Sequence, residues 1–274
     1  MDADARAVVC YGLPTPQEGM TVHASPFDLS GKTALVTGAN TGIGQAIAAA
    51  LANAGASVVG VGRSAMDDTA ALIEGKGGRF AAIKADLSDM KAVRGLMPRV
   101  TEECGRPDIL VNNAGIIRRA DAVDFTEEDW DAVMDVNLKS VFFLCQAFAA
   151  GALAENAPAK IINIASLLSF QGGIRIASYT AAKSGLAGLT RLLANEWAAR
   201  GINVNAIAPG YIETNNTRAL REDSERNTEI LKRIPAGRWG KGEDLGGAAV
   251  FLASNASDYI HGAVLPVDGG WLAR

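Results

Sequence analysis

From Lys32 onward, short runs of apolar and β-branched residues alternate with longer Ala- and Leu-rich stretches whose apolar positions recur at helical spacing. The short runs are "TALVTG" (33–38), "SVVGVG" (57–62), "FAAIKAD" (80–86), "DILVNNAG" (108–115), "KIINIAS" (160–166), "INVNAIAPG" (202–210) and "AVLPVDGG" (263–270). They read as strands bounded by Gly, Pro, Asn and Asp, and the stretches at 43–54, 90–104, 127–150, 178–200 and 243–254 read as helices between them. Strand–helix alternation predicts an α/β fold: a Rossmann-type, doubly wound, seven-stranded parallel sheet with helices on both faces, joined by right-handed crossovers. Ligands of such sheets bind at the carboxyl ends of the strands.

Two segments break the alternation. Residues 213–240 are rich in charge, follow the sixth strand and end in Pro235, Gly237 and Gly240, so they read as a lid over the substrate site or, alternatively, as a solvated helix pair. Residues 1–28 carry Pro14, Pro16 and Pro26 but neither the basic start nor the apolar middle of a signal peptide. They read as a flexible arm before a single domain at 29–274, with Met20 as an alternative start.

Composition narrows the class. The 274 residues are 49% hydrophobic and 20% charged, enough to bury one large core. With a net charge of −4 and no basic run, nucleic acid is not expected as a partner. No stretch is read as a membrane span, and the expected setting is the cytoplasm. Cys10, Cys104 and Cys145 lack any CxxC spacing, and His23 and His261 are too few and too far apart for a metal cluster.

Candidate chemistry sits where strands end. After the first strand, "TGANTGIG" (37–44) places Gly38, Asn40, Thr41, Gly42, Ile43 and Gly44 between a strand and a helix. The glycines permit a tight turn, close approach of backbone to a pyrophosphate, and close helix packing, while the helix N-terminus faces the phosphates. "SYTAAKSG" holds Tyr179 and Lys183 four apart, on one helix face. A neighbouring ammonium is expected to draw the phenol down from about 10 toward useful acid–base chemistry. Ser166 ends the fifth strand and is placed to hold a substrate carbonyl oxygen, with Ser169 as a rival. Asn137, in the helix at 127–150, offers an amide to hold a water in a proton relay.

In combination, "TGANTGIG", "NNAG" (112–115), Asn137, Ser166, Tyr179-x-x-x-Lys183 and "PG" (209–210) resemble the short-chain dehydrogenase/reductase family from about Leu29 to Arg274. The resemblance implies Tyr179 as proton donor or acceptor and Lys183 as the partner of the nicotinamide ribose. It implies that Ser166 orients the substrate and that Asn137 supports the relay. It also implies an adenine contact at Asp86 and Leu87, a cofactor contact at Asn113, Ala114 and Gly115, and a nicotinamide-side loop at Pro209, Gly210 and Ile212. Longer matches such as "NNAGIIRRADAVDF", "ASLLSFQGGIR" and "RIPAGRWG" are similar to members acting on deoxy-keto sugar acids. A homotetramer built on the helices at 127–150 and 178–200, with "WLAR" near an interface, is a further implication.

A sugar acid needs a cation for its carboxylate, and Arg119, Arg175 and Arg218 are the candidates, with Arg118 and Arg238 nearby in sequence. The second strand ends in Gly62-Arg63 rather than an acid, which favours NADP(H), whereas the closer resemblance favours NAD(H). Another reductase of the family, such as one acting on 3-oxoacyl groups carried by a protein, and a non-catalytic cofactor sensor are the alternatives.

Overall fold

A computed structural model describes residues 25–274; the reading of Met20 as a start, and most of the proposed arm with Cys10 and His23, lie outside the described residues. The strands are β1 (Thr33–Thr37), β2 (Ser57–Gly62), β3 (Arg79–Lys84), β4 (Ile109–Asn112), β5 (Ala159–Ile164), β6 (Ile202–Pro209) and β7 (Val264–Val267). They form one sheet in the order β3-β2-β1-β4-β5-β6-β7, parallel throughout. The chain thus reverses direction across the sheet between β1 and β4, where a crevice opens at the strand ends.

Alternation along each strand builds two cores. Leu35, Val59, Val61, Leu110, Ile161 and Val204 face one layer, made by α3 (Met90–Cys104), α5 (Ser140–Ala154) and α6 (Ala177–Trp197). Val36, Val58, Ile109, Val111, Ile162 and Ile207 face the other, made by α1 (Gly42–Asn53) and α9 (Gly246–Ala253). Every residue of β5 and β6 is buried, so these strands are largely apolar on both faces, and their polar members Lys160, Asn163, Asn203 and Asn205 are each hydrogen-bonded to other side chains or to backbone.

The sequence pattern misses α2 (Asp67–Glu74), because its eight residues bury only Thr69 and Ile73 and so carry no long apolar period. The expected helix at 127–150 is α4 (Glu127–Met134), a π-helical turn (Asp135–Lys139) and α5, continuous to Ala154. By length and composition alone this run is long and apolar enough to cross a bilayer, and half of its apolar window is buried inside the protein. Its Ala- and Phe-rich face is apolar because it packs on the sheet. Cys145 on that face is fully buried, which pushes its thiol up to about 12, out of the reactive range.

Residues 25–28 do not behave as an arm: the Pro26 carbonyl accepts from Ala256 N, and the Phe27 ring packs on Phe251 at 6.4 Å. Residues 213–240 form a 3₁₀ turn (Asn215–Thr217), α7 (Arg218–Glu222) and α8 (Ser224–Arg233). Asp223 starts α8 by accepting from Glu225 N and Arg226 N, both at 3.1 Å. Ile230, Ile234 and Trp239 of this segment are buried with Leu167 and Trp271, so its inner face has a small core of its own. Tyr211 sits between Trp239 and Trp271, ring centroids 5.4 and 4.6 Å away, and Arg233 lies 4.0 Å over the Trp271 ring. "WLAR" is thereby engaged with its own chain.

Candidate active site

The crevice between the carboxyl ends of β1 and β4 widens into a cleft of about 830 Å³. It is lined by every residue proposed above for the cofactor except Gly44, and by Ser166. Gly38 and Gly42 adopt left-handed backbone, φ +67° and +57°. A Cβ on Gly42 would meet only the Thr214 side chain, its methyl at 3.6 Å and its Cβ at 3.9 Å, so this backbone is open to a ligand. Thr41 precedes α1 without capping it, and the first turn holds no acid, so the leading N–H groups of a 12-residue helix have no side-chain partner. Open glycine backbone and an uncapped helix start fit a pyrophosphate. Gly44 does not line the cleft: a Cβ there would fall 2.1 Å from the Gly38 carbonyl oxygen, so its role is close packing beneath the loop.

At the end of β2, Gly62 is buried, and a Cβ on it would stand 3.1 Å from Asn40 Oδ1. Asn40 Nδ2 donates to Ser64 Oγ at 2.9 Å, laying a polar pair across the position where an acid would sit. Arg63 is exposed beside this pair and helps, behind the Ser88 hydrogen bonds, to hold the Asp86 carboxyl below its ordinary value.

The β4 loop is fixed by a residue that the sequence reading passed over. Thr37, buried at the end of β1, accepts at Oγ1 from Asn113 N (2.9 Å) and Ala114 N (3.0 Å) and donates to the Val111 carbonyl (3.3 Å). Asn113 Nδ2 returns to the Thr37 carbonyl at 2.9 Å. Asn137 completes the loop: its Nδ2 donates to Ile116 O and its Oδ1 accepts from Ile116 N, both 2.8 Å. Both ends of this amide are thereby tied to the Ile116 backbone, a loop-positioning contact that the sequence reading did not anticipate. It lies on the π-helical turn, a distortion that often marks functional segments.

Ser166, Tyr179 and Lys183 converge at the end of β5. Lys183 Nζ donates to the Ile164 carbonyl at 2.6 Å and lies 5.6 Å from the Tyr179 ring centroid. Burial pushes the ammonium down to about 8. Burial also pushes the Tyr179 phenol up, against the opposing pull of the Ser166 hydroxyl and, behind it, the Arg119 charge. The direction is opposite to the one that the Tyr179–Lys183 spacing suggests, because desolvation outweighs the neighbouring charge. Ser169 is no rival to Ser166, because its Oγ donates to the Lys183 carbonyl at 2.7 Å.

The arginines separate. Arg175 is bound to Asp121 (3.0 Å) and Arg218 to Glu222 (3.2 Å), each pair more than 60% exposed, so neither is placed to meet a ligand in the cleft. Arg118 pairs with Asp129, and Arg238 is held by both oxygens of Asp244 (2.7 and 2.9 Å). Arg118 lines the cleft itself, whereas Arg119 reaches the cleft wall from outside, its Nη2 donating to the Asn216 carbonyl at 3.1 Å with no carboxylate partner among the described residues. Thr214, Asn216 and Ser64 line the cleft and went unsingled in the sequence because they are ordinary loop residues until the chain folds over.

Comparison with known proteins agrees with this geometry. The family model described as enoyl-(acyl carrier protein) reductase matches residues 38–272. The 2-dehydro-3-deoxy-D-gluconate 5-dehydrogenase of Dickeya dadantii is 57% identical over 90% of this chain and 98% of its own. A solved structure from Agrobacterium tumefaciens with bound NADP is 65% identical, covering 91% of this chain and 99% of its own, with a TM-score of 0.87. A gluconate 5-dehydrogenase from Burkholderia cenocepacia, in complex with NADP and tartrate, is 42% identical over 91% and 98%, with a TM-score of 0.85. Matches of this extent, over a chain whose serine, tyrosine and lysine meet at a dinucleotide-shaped cleft, make it a member of the short-chain dehydrogenase/reductase family of nicotinamide-dependent oxidoreductases.

Proposed function

We propose that this protein exchanges a hydride between NADP(H) and the carbonyl of a deoxy-keto sugar acid of the 2-dehydro-3-deoxy-D-gluconate type. The convergence of Ser166, Tyr179 and Lys183 at the cleft carries the reading. The cofactor supplies or accepts the hydride. In reduction, the Ser166 hydroxyl holds the substrate oxygen, and the Tyr179 phenol donates its proton to that oxygen. Because burial favours the neutral phenol, the donor is loaded at neutral pH. Lys183 holds the cofactor ribose and restores the proton balance beneath the phenol. Among the residues that line the cleft, Asp86 and Leu87 would take the adenine, the glycine loop the pyrophosphate, and Pro209, Gly210 and Ile212 the nicotinamide side.

The sugar-acid substrate is supported by the Dickeya relative's name and by the tartrate complex of the Burkholderia one. Arg119 is the cation we assign to the carboxylate ahead of Arg118, which lines the cleft but is paired with Asp129, because Arg119 is exposed, free of an acid partner among the described residues, and close enough to act on Tyr179. Steady-state assays over a panel of keto-deoxy sugar acids, with both reduced cofactors, test the assignment. Turnover of the acids is expected, with Arg119→Ala raising KM about tenfold for an acid and leaving a neutral analogue unchanged. Turnover confined to acyl-carrier-bound 3-oxo substrates would overturn it.

The choice of NADP(H) rests on the end of β2. Gly62 presents no acid to repel a 2′-phosphate, and Arg63 stands exposed beside the Asn40–Ser64 pair. Arg63→Ala is expected to weaken NADPH binding by about tenfold to a hundredfold, the worth of one charge-assisted contact, while NADH affinity stays constant. Fluorescence titration with the two reduced cofactors checks this, and equal losses for both would count against a phosphate grip.

A further inference from the structure

Most arginines of the segment over the cleft have an obvious partner: Arg218 with Glu222, Arg226 with Glu229, Arg233 on the Trp271 ring, Arg238 with Asp244. Arg221, in α7, is different. Its Nη2 donates to the Thr214 carbonyl at 3.2 Å, its Nε is buried with no hydrogen-bond partner, and no carboxylate lies within ion-pair distance among the described residues. A partly buried guanidinium with one neutral acceptor is held at a cost unless an anion complements it.

The turn that Arg221 grips belongs to the cleft wall. Thr214 and Thr217 line it, and the Thr214 methyl faces Gly42 of the phosphate loop. Thr217 Oγ1 ties the turn to itself, donating to the Ile212 carbonyl at 2.7 Å and accepting from Thr214 N at 3.1 Å. The Ile212–Gly240 bridge fixes its base, and Arg119 reaches Asn216 from the β4 loop. Two positive features therefore flank this turn: the uncapped start of α1 across from Thr214, and Arg221 behind it. Neither has an anionic partner among the described residues.

We propose that Arg221 is a positioning residue for the cofactor, fixing the Thr214–Thr217 turn over the phosphate loop and adding a positive field that the dinucleotide's pyrophosphate complements. The proposal rests on the dinucleotide reading of the cleft and goes beyond it, because this arginine stands in the covering segment and not in the glycine-rich motif. Its action is on the pyrophosphate, shared by both cofactors, so it is separate from any 2′-phosphate contact at Arg63.

The test is binding, not turnover. Dissociation constants for NADPH, NADH and adenosine are measured by fluorescence titration on wild type, Arg221→Met and Arg221→Lys, with the melting temperature of each protein taken with and without NADPH. Arg221→Met is expected to weaken NADPH and NADH alike by about tenfold, to leave adenosine unchanged, and to reduce the NADPH-induced rise in melting temperature. Arg221→Lys keeps the charge and should recover most of the affinity, more so at low salt. Unchanged dinucleotide affinity in Arg221→Met would overturn the proposal. So would equal weakening of adenosine and NADPH with a lower unliganded melting temperature, the pattern of a merely structural residue. Failure of the wild type to bind either dinucleotide would instead overturn the cofactor reading itself, and the proposal with it.

Discussion

Tyr179→Phe is expected to lower kcat by roughly a hundredfold to ten-thousandfold, the usual worth of a positioned general acid, with cofactor affinity unchanged within about twofold. The substitution removes one oxygen from a half-buried ring and leaves the Lys183–Ile164 bond and the glycine loop in place. Steady-state kinetics and cofactor titration on the same preparation separate the two quantities. A loss of less than tenfold in kcat would show that another group delivers the proton and would overturn the role given to Tyr179. The pH profile adds a sign. Burial raises the phenol above its ordinary 10, so it remains a loaded donor across the neutral range. Lys183, pushed down to about 8, is the group that changes charge within reach of an assay. Carbonyl reduction should therefore fall as the pH rises through about 8, and Lys183→Met should remove that limb along with most of the activity.

The sheet was legible because its signal recurs along the chain: β5 and β6 are buried on both faces and so read as short runs rich in Ile, Val and Ala, with only Lys160, Asn163, Asn203 and Asn205 among them polar, and the helices between strands repeat at 3.6. The convergence of Ser166 with Tyr179 and Lys183 was legible for a related reason, since one ends a strand and the others share a helix face, both local consequences of backbone geometry. What local pattern does not carry is the balance of burial against charge. Spacing placed Lys183 beside Tyr179 correctly, but the sign of the phenol's shift depends on how much water the fold removes, and that is a property of the whole cleft. The arginines show the same limit: Arg119, Arg175 and Arg218 are equivalent as letters, and only the fold assigns two of them to surface carboxylates and one to the rim. Asn137 is a third case, where the residue was found but its partner, the Ile116 backbone, is supplied by a loop twenty-one positions away.

Gly44→Ala is expected to have the largest effect of any single-methyl change in the cleft region. The added carbon would sit 2.1 Å from the Gly38 carbonyl oxygen, 2.7 Å from its carbonyl carbon and 2.4 Å from Asn113 Nδ2. Two of those three atoms are backbone, so a rotamer change cannot relieve the contact, and α1 must move away from the end of β1. That movement pulls the glycine loop from the β4 loop, which meet through the Asn113 bonds to the Thr37 and Gly38 carbonyls at 2.9 and 3.3 Å. Overpacking of this kind costs about 1–3 kcal/mol, or a melting temperature lower by several degrees for a chain of this length. Because the displaced element is the phosphate-binding one, cofactor affinity should fall more than tenfold as well. Gly95→Ala is the matched control: Gly95 lies inside α3 with nothing within 4 Å of the new carbon, and alanine is the better helix former. It should leave binding intact and raise the melting temperature slightly. Differential scanning calorimetry and cofactor titration on the pair decide the point. An unperturbed Gly44→Ala protein would mean that the close approach of α1 to the β1 turn is not what holds the phosphate loop in place.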